Sequence, residues 1–210
     1  LVANNSLSFE DSVNLLIVRS EAMQKSMPIG TGGMAALLGQ SEDEILLTLE
    51  KLEKYGKLFI ANDNADGQIV LSGEIKAIDY LCKNFKTLGV KRAIKLQVSA
   101  PFHCELIYKA SLILKEELEK YSFDEFSYPL YSNVTAEKSY ANNVKALLSE
   151  QVVNKVRWRE TIQNMIRDKV ETFIEIGPGN VLSNLIKRYT KDVKTVSIGK
   201  LSDLDKLEHI

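Results

Sequence analysis

The sequence predicts an α/β protein in which a large parallel-sheet domain is interrupted by a small ferredoxin-like βαββαβ module. Two observations carry this expectation. Between Gly32 and Val98 the apolar pattern breaks into six short elements in the order strand, helix, strand, strand, helix, strand. On either side, helices and strands alternate in the manner of a parallel sheet covered by helices. Residues 1–30 and 99–210 are thus assigned to the large domain and 31–98 to the insertion.

The first helix is announced by Ser8 with Asp11 three residues on, a capping pattern ahead of Val13, Leu16 and Ile17 at helical spacing. It should run to about Lys25, with Arg19 and Met23 four apart on one face. Met34 to Leu38 reads as a strand. Ser41 with Glu44 caps a helix whose apolar face is Ile45, Leu49 and Leu52, closed by Gly56. Leu58 to Ala61 is the next strand, Asn62 to Gly67 a turn, and Gln68 to Leu71 a third strand. A helix from Ile75 to Leu88 ends at Gly89, where a left-handed residue costs least. Ala93 to Val98 alternates apolar and polar residues as a strand with one wet face does.

Beyond Val98, Leu106, Ala110, Leu114 and Leu118 predict a helix from about Cys104, followed by a strand at Tyr128 to Tyr131. Helices are expected at Asn142 to Val152 and Arg157 to Ile166. Phe173 to Ile176 is a strand running into Gly177-Pro178-Gly179 and a helix from Val181 to Arg188. A last strand falls near Thr195 to Ile198.

The 210 residues suffice for a full hydrophobic core, and 45% hydrophobic with 26% charged residues is ordinary for a globular protein. Lys and Arg (27) nearly balance Asp and Glu (28), so no strong field gathers nucleic acid or an anionic membrane. No apolar stretch approaches the roughly 18 residues of a membrane span. Cys82 and Cys104 lack zinc-type spacing and are too few for a disulfide framework, which suits free thiols in a reducing compartment. No metal motif and no full dinucleotide or phosphate loop is present, so neither a metal nor a nucleotide cofactor is expected. Gly177-Pro178-Gly179 reads better as a tight turn than as an anion loop. The chain opens on Leu1-Val2-Ala3 rather than Met, so an upstream segment is expected.

His103 stands where a strand gives way to a helix, in Val98-Ser99-Ala100-Pro101-Phe102-His103-Cys104. Strand ends of open α/β sheets are where ligands bind, yet by position alone a turn histidine satisfied by backbone groups is the commoner outcome. The other histidine, His209, is next to the C-terminus. Arg19 could grip a carboxylate through its planar fork, although an arginine lying along apolar neighbours with its head in water is again commoner.

Taken in order, several stretches resemble the acyltransferase family of fatty-acid and polyketide synthesis, which includes the malonyl-CoA:acyl-carrier-protein transacylases. They are Leu7 to Asp11, Val18 to Gln24, Gly32 to Ala36, Gly67 to Gly73, Val98 to Cys104, and Phe173 to Arg188 with its Glu-Ile-Gly-Pro-Gly core. The resemblance covers nearly the whole chain. It implies a partial α/β-hydrolase-like large subdomain around the ferredoxin-like insertion. It also implies that the glutamine-bearing glycine-rich segment and the Gly-His-Ser-Leu-Gly elbow with the nucleophile lie outside these residues, since neither is present and Ser6 and Ser8 are not in an elbow.

Carried over by position, the resemblance makes His103 the base that activates the serine and Gln151 the residue whose main-chain carbonyl orients it. Arg19 would hold the malonyl carboxylate, Met23 would neighbour it, and Asn64 would line the cleft between subdomains. The implied reaction moves malonyl from malonyl-CoA to serine and then to the phosphopantetheine thiol of acyl carrier protein, in the cytoplasm, with no resident cofactor, nucleic acid or membrane. The 210 residues alone are expected to be inactive. A polyketide-synthase-type acyltransferase piece and a non-catalytic carrier-protein-binding protein are the competing readings. Lys91 with Arg92, or Lys187, Arg188 and Lys191, are candidate docking cations for an acidic carrier protein.

Overall fold

A computed structural model of the chain describes residues 1–209. They divide by packing into two units, Leu1–Trp158 and Arg159–Ile210. In the first unit, helix α1 (Phe9–Lys25) starts at Ser8, whose Oγ accepts from the Asp11 amide at 3.0 Å. Ser41 caps α2 (Glu42–Leu52) in a full capping box, with Glu44 returning a bond to the Ser41 amide at 2.8 Å. Both starts follow the sequence pattern.

Strands β1 (Gly32–Leu38), β2 (Leu58–Ala65), β3 (Gln68–Glu74) and β4 (Arg92–Lys95) form one antiparallel sheet in the order β2-β3-β1-β4. Alternation along the strands sorts side chains to two faces. Ala35, Leu37, Ile69 and Leu71 meet Ile45 and Leu52 of α2 and Ile78 and Leu81 of α3 (Ile75–Asn84), all buried in one cluster. Each of the Leu and Ile side chains contributes about 1.5–3 kcal/mol when fully buried. The opposite face carries Met34, Ala61 and Val70, against which Phe102 packs. Gly73 must stay small, because a Cβ there would overlap the carbonyl of Lys57, the residue just before β2.

Helix α4 (Tyr108–Leu118) packs on α1 and on α5 (Val144–Glu150). The core between them holds Leu15, Met23, Ile107, Ala110, Leu114 and Leu118, and Phe102 touches this cluster too. Phe102 thus joins the helical core to the sheet.

Several expected elements differ. The Asn62–Gly67 turn shrinks to Asp66-Gly67, because β2 continues to Ala65 by pairing with β3 through two irregularities in register. Asn64 therefore sits in a bulged strand. The strand expected to reach Val98 ends at Lys95, and the helix expected from Cys104 opens as a 3₁₀ turn, Glu105–Ile107. The strand at Tyr128 to Tyr131 is only β5 (Leu130–Tyr131). It pairs antiparallel with β6 (Lys138–Ser139) rather than joining a parallel sheet. Each strand of this hairpin is two residues long, too short to leave a pattern.

Helix α6 (Trp158–Arg167) starts at the last residue of the first unit, and the second unit continues with β7 (Thr172–Ile176), α7 (Val181–Tyr189), β8 (Lys194–Ile198) and a 3₁₀ helix, Leu201–His209. β7 and β8 pair in parallel. Asn180 precedes α7 without a side-chain cap; Glu175 of β7 supplies one instead, accepting from the amides of Leu182 at 3.0 Å and Ser183 at 2.9 Å. Apart from an isolated bridge between Asn62 and Val156, β7–β8 is the parallel pairing among the described residues. The fold is α/β with mixed sheets.

Candidate active site

Phe102 and Cys104 are both anchored on the open face of the four-stranded sheet, and this presents the residue between them. Cys104 is buried, its thiol donating to the Pro101 carbonyl at 3.1 Å and lying 3.7 Å from the Ser72 hydroxyl. Pro101 presses on Gly32, where a Cβ would overlap the proline ring. His103 is left half-buried with φ +59, a left-handed conformation that costs energy outside glycine and clusters at functional sites.

The His103 Nδ1 stands 2.9 Å from the Gln151 main-chain oxygen. A carbonyl can only accept, so Nδ1 carries the proton and Nε2 is left as the basic nitrogen. Gln151 follows the last residue of α5, where helix carbonyls lack intrahelical partners, and the negative end of the helix favours a positive ring. Burial nonetheless dominates and holds the His103 pKa below its ordinary value; the Gln151 bond pulls it up, and the nearby Arg19 charge pushes it down. The ring is a neutral base with a defined tautomer.

Arg19, on α1, is half-buried, and burial lowers its pKa, although a guanidinium remains charged at neutral pH. It has neither a hydrogen-bond nor an ion-pair partner among the described residues. It lines a cavity of about 500 Å³ together with Leu15, Leu118, Asn133 and Gln151. His103 lines a second cavity, of about 850 Å³, with Phe59, Ile60, Tyr108 and Val153. The His103–Gln151 bond therefore spans from one cavity to the other.

Met23 is one turn beyond Arg19 but is buried in the helical core and lines neither cavity. Asn64 is half-buried in β2 and likewise lines neither. His103, Gln151 and Arg19 are thus brought together, while Met23 and Asn64 stand apart from the cavity walls. Two residues that sequence reasoning passed over approach the site: Asn133, bonded to the Gln151 side chain, and Arg157, whose amide donates to the Asn133 carbonyl at 3.0 Å. The turn-rich run Ser132 to Ala136 was the available signal. Among the described residues, no group of His, Cys, Asp or Glu is placed to hold a metal ion, and no helix is long and apolar enough to cross a membrane. Cys82 and Cys104 are free thiols.

The profile of the acyl transferase domain matches residues 1–204. The chain belongs to the acyl transferase domain family. Within this family it is 40% identical over 200 residues to the malonyl CoA-acyl carrier protein transacylase of Bacillus subtilis (strain 168), covering 94% of this chain and 63% of that relative. The chain thus spans less than two thirds of that relative's length. The crystal structure of malonyl CoA-acyl carrier protein transacylase from Clostridium perfringens superimposes with a TM-score of 0.93 at 38% identity, covering 100% of this chain and 66% of that one. A type II PKS acyl-carrier protein in complex with its malonyl-transacylase matches with a TM-score of 0.94 at 31% identity, covering 100% and 69%. The acyl transferase resemblance read from the sequence is borne out.

Proposed function

We propose that these residues form the part of a malonyl-CoA:acyl-carrier-protein transacylase that carries the base and the carboxylate-binding arginine. The enzyme would act in cytoplasmic fatty acid biosynthesis, with the nucleophilic serine supplied by sequence outside residues 1–210. Residues 1–30 and 99–210 would be an α/β-hydrolase-like large subdomain. Residues 31–98 would be its ferredoxin-like insertion, a reading supported by the strand order β2-β3-β1-β4 with α2 and α3 on one face.

The observation that carries the proposal is the pairing of a neutral, tautomer-fixed His103 with a half-buried Arg19 that lacks a hydrogen-bond or ion-pair partner among the described residues. His103 Nε2 takes the serine proton as the oxygen attacks the malonyl thioester carbonyl. The tetrahedral intermediate collapses with cleavage of the C–S bond, and His103 returns the proton to the departing coenzyme A thiolate. In the second half, His103 deprotonates the phosphopantetheine thiol of acyl carrier protein. That thiolate takes the malonyl group, and the proton goes back to serine. The Gln151 carbonyl stabilises the imidazolium formed in each half, the role an aspartate has in other triads. Arg19 pairs with the free malonyl carboxylate, whose burial without a partner would cost several kcal/mol. Met23, one turn beyond Arg19, and Asn64, in the bulged strand, line neither cavity and are given no contact with substrate. Malonyl-CoA and acyl carrier protein are the partners, and no resident cofactor takes part. Kinetics of malonyl transfer to acyl carrier protein, using the chain extended upstream to the length of its relatives, test the proposal. Transfer lost in His103→Ala supports it; transfer unaffected by that change overturns it.

A further inference from the structure

The Gln151 carbonyl can orient His103 only if its own peptide plane is fixed, and the end of a seven-residue helix does not fix it alone. Its side chain extends to Asn133, with Nε2 donating to Oδ1 at 2.6 Å. Asn133 also holds the far end of the same segment, its main-chain oxygen accepting from the Arg157 amide at 3.0 Å. Between these points Val156 is tied to β2: its amide donates to Ala61 at 2.8 Å and its carbonyl accepts from Asp63 at 3.0 Å. Asn133 therefore clasps both ends of residues 151–157.

Asn133 is itself held. It opens the β5–β6 loop, where the Ser132 hydroxyl accepts from the Val134 amide at 3.2 Å and the Ser132 carbonyl accepts from Ala136 at 2.8 Å. The Ser132 amide donates across the loop to Glu137 at 3.0 Å, and the Arg157 guanidinium donates to the Val134 carbonyl at 3.1 Å. Such a loop has little freedom to follow a moving partner.

We infer that Asn133 is a positioning residue for the base: by gripping Gln151 and Arg157 it aims the Gln151 carbonyl at His103 Nδ1 and thereby fixes the Nδ1–H tautomer. Its consequence for proton transfer rests on the transacylase reading. The tautomer itself does not, so the two can fail separately.

The experiment is ¹⁵N NMR of histidine-labelled protein in a His209→Gln background, above the imidazole titration range, where ring nitrogen shifts report the tautomer. The parent shows Nδ1–H as the major form. Asn133→Ala loses it as the major form, whereas Asn133→Asp, which keeps an acceptor oxygen, retains it. Gln151→Met leaves the main-chain carbonyl in place but removes the grip from the other side, and it loses the Nδ1–H form as Asn133→Ala does. If Asn133→Ala does not fold, Gln151→Met decides alone. An unchanged tautomer in a folded Asn133→Ala or Gln151→Met variant, or its loss in folded Asn133→Asp, overturns the inference.

Discussion

His103 donates from Nδ1 to the main-chain carbonyl of Gln151 across 2.9 Å, and the same ring is kept neutral chiefly by its burial. In free histidine the ring titrates at about 6.5. With the native pKa below that, the folded protein binds fewer protons than the unfolded chain as pH falls past about 6.5, so His103 makes stability decline towards acid. His103→Gln should weaken this decline, measured as the difference between the parent's and the variant's urea-unfolding free energies at a pH above and a pH below the ordinary histidine value. In the complete enzyme the acid limb of kcat/KM should lie below the ordinary histidine pKa for the same reason.

Arg19 is a charge burdened by burial and without a hydrogen-bond or ion-pair partner among the described residues. In the upstream-extended protein, Arg19→Ala should reduce the preference for malonyl-CoA over acetyl-CoA by roughly one to two orders of magnitude, the ~1.5–3 kcal/mol of a hydrogen bond to a charged group. Arg19→Met should be no less stable than the parent, because it removes an uncompensated charge and fills the same space. Ratios of kcat/KM for the two thioesters and thermal unfolding check these outcomes.

Gly73 and Gly32 separate stability from site geometry. At Gly73 a new methyl would meet backbone on the adjoining strand, so Gly73→Ala should destabilise the sheet by about 1–3 kcal/mol, read by denaturant unfolding. At Gly32 it would meet the Pro101 ring, two residues before His103. Gly32→Ala should shift the His103 ring resonances before it costs comparable stability.

Glu175 caps α7 from a neighbouring strand. Burial opposes its charge, yet the bonds from Ser183, Leu182 and Ser197 outweigh it and leave the carboxylate pKa lowered. That stabilisation is present above the ordinary carboxylate range and is lost as pH falls through the native pKa. Glu175→Ala should cost about 1 kcal/mol, in the range of lost helix caps. Hydrogen exchange at the Leu182 and Ser183 amides should accelerate before the rest of α7.

Much of this was legible in the sequence because it is local. Ser8 and Ser41 announced their helices through residues three positions on, whereas the helix expected to run to Gly89 ends at Asn84 and gives way to turns. What depends on backbone pairing rather than on local composition was not. Asn62 to Ala65 has turn composition but becomes strand through pairing with β3 and Val156, and β5 exists only through β6. At the site, His103 and Arg19 were visible as residue types. Gln151 meets His103 through its main chain, which no side-chain pattern encodes, so it was reachable only through family resemblance. Asn133 lies in a run of turn residues, and only the meeting of Gln151 and Arg157 there sets it apart.

The most direct measurement is intact mass spectrometry of residues 1–210 and of an upstream-extended form, each incubated with malonyl-CoA. A covalent malonyl adduct is expected on the extended form alone. An adduct on residues 1–210, or none on a folded extended form, would contradict it.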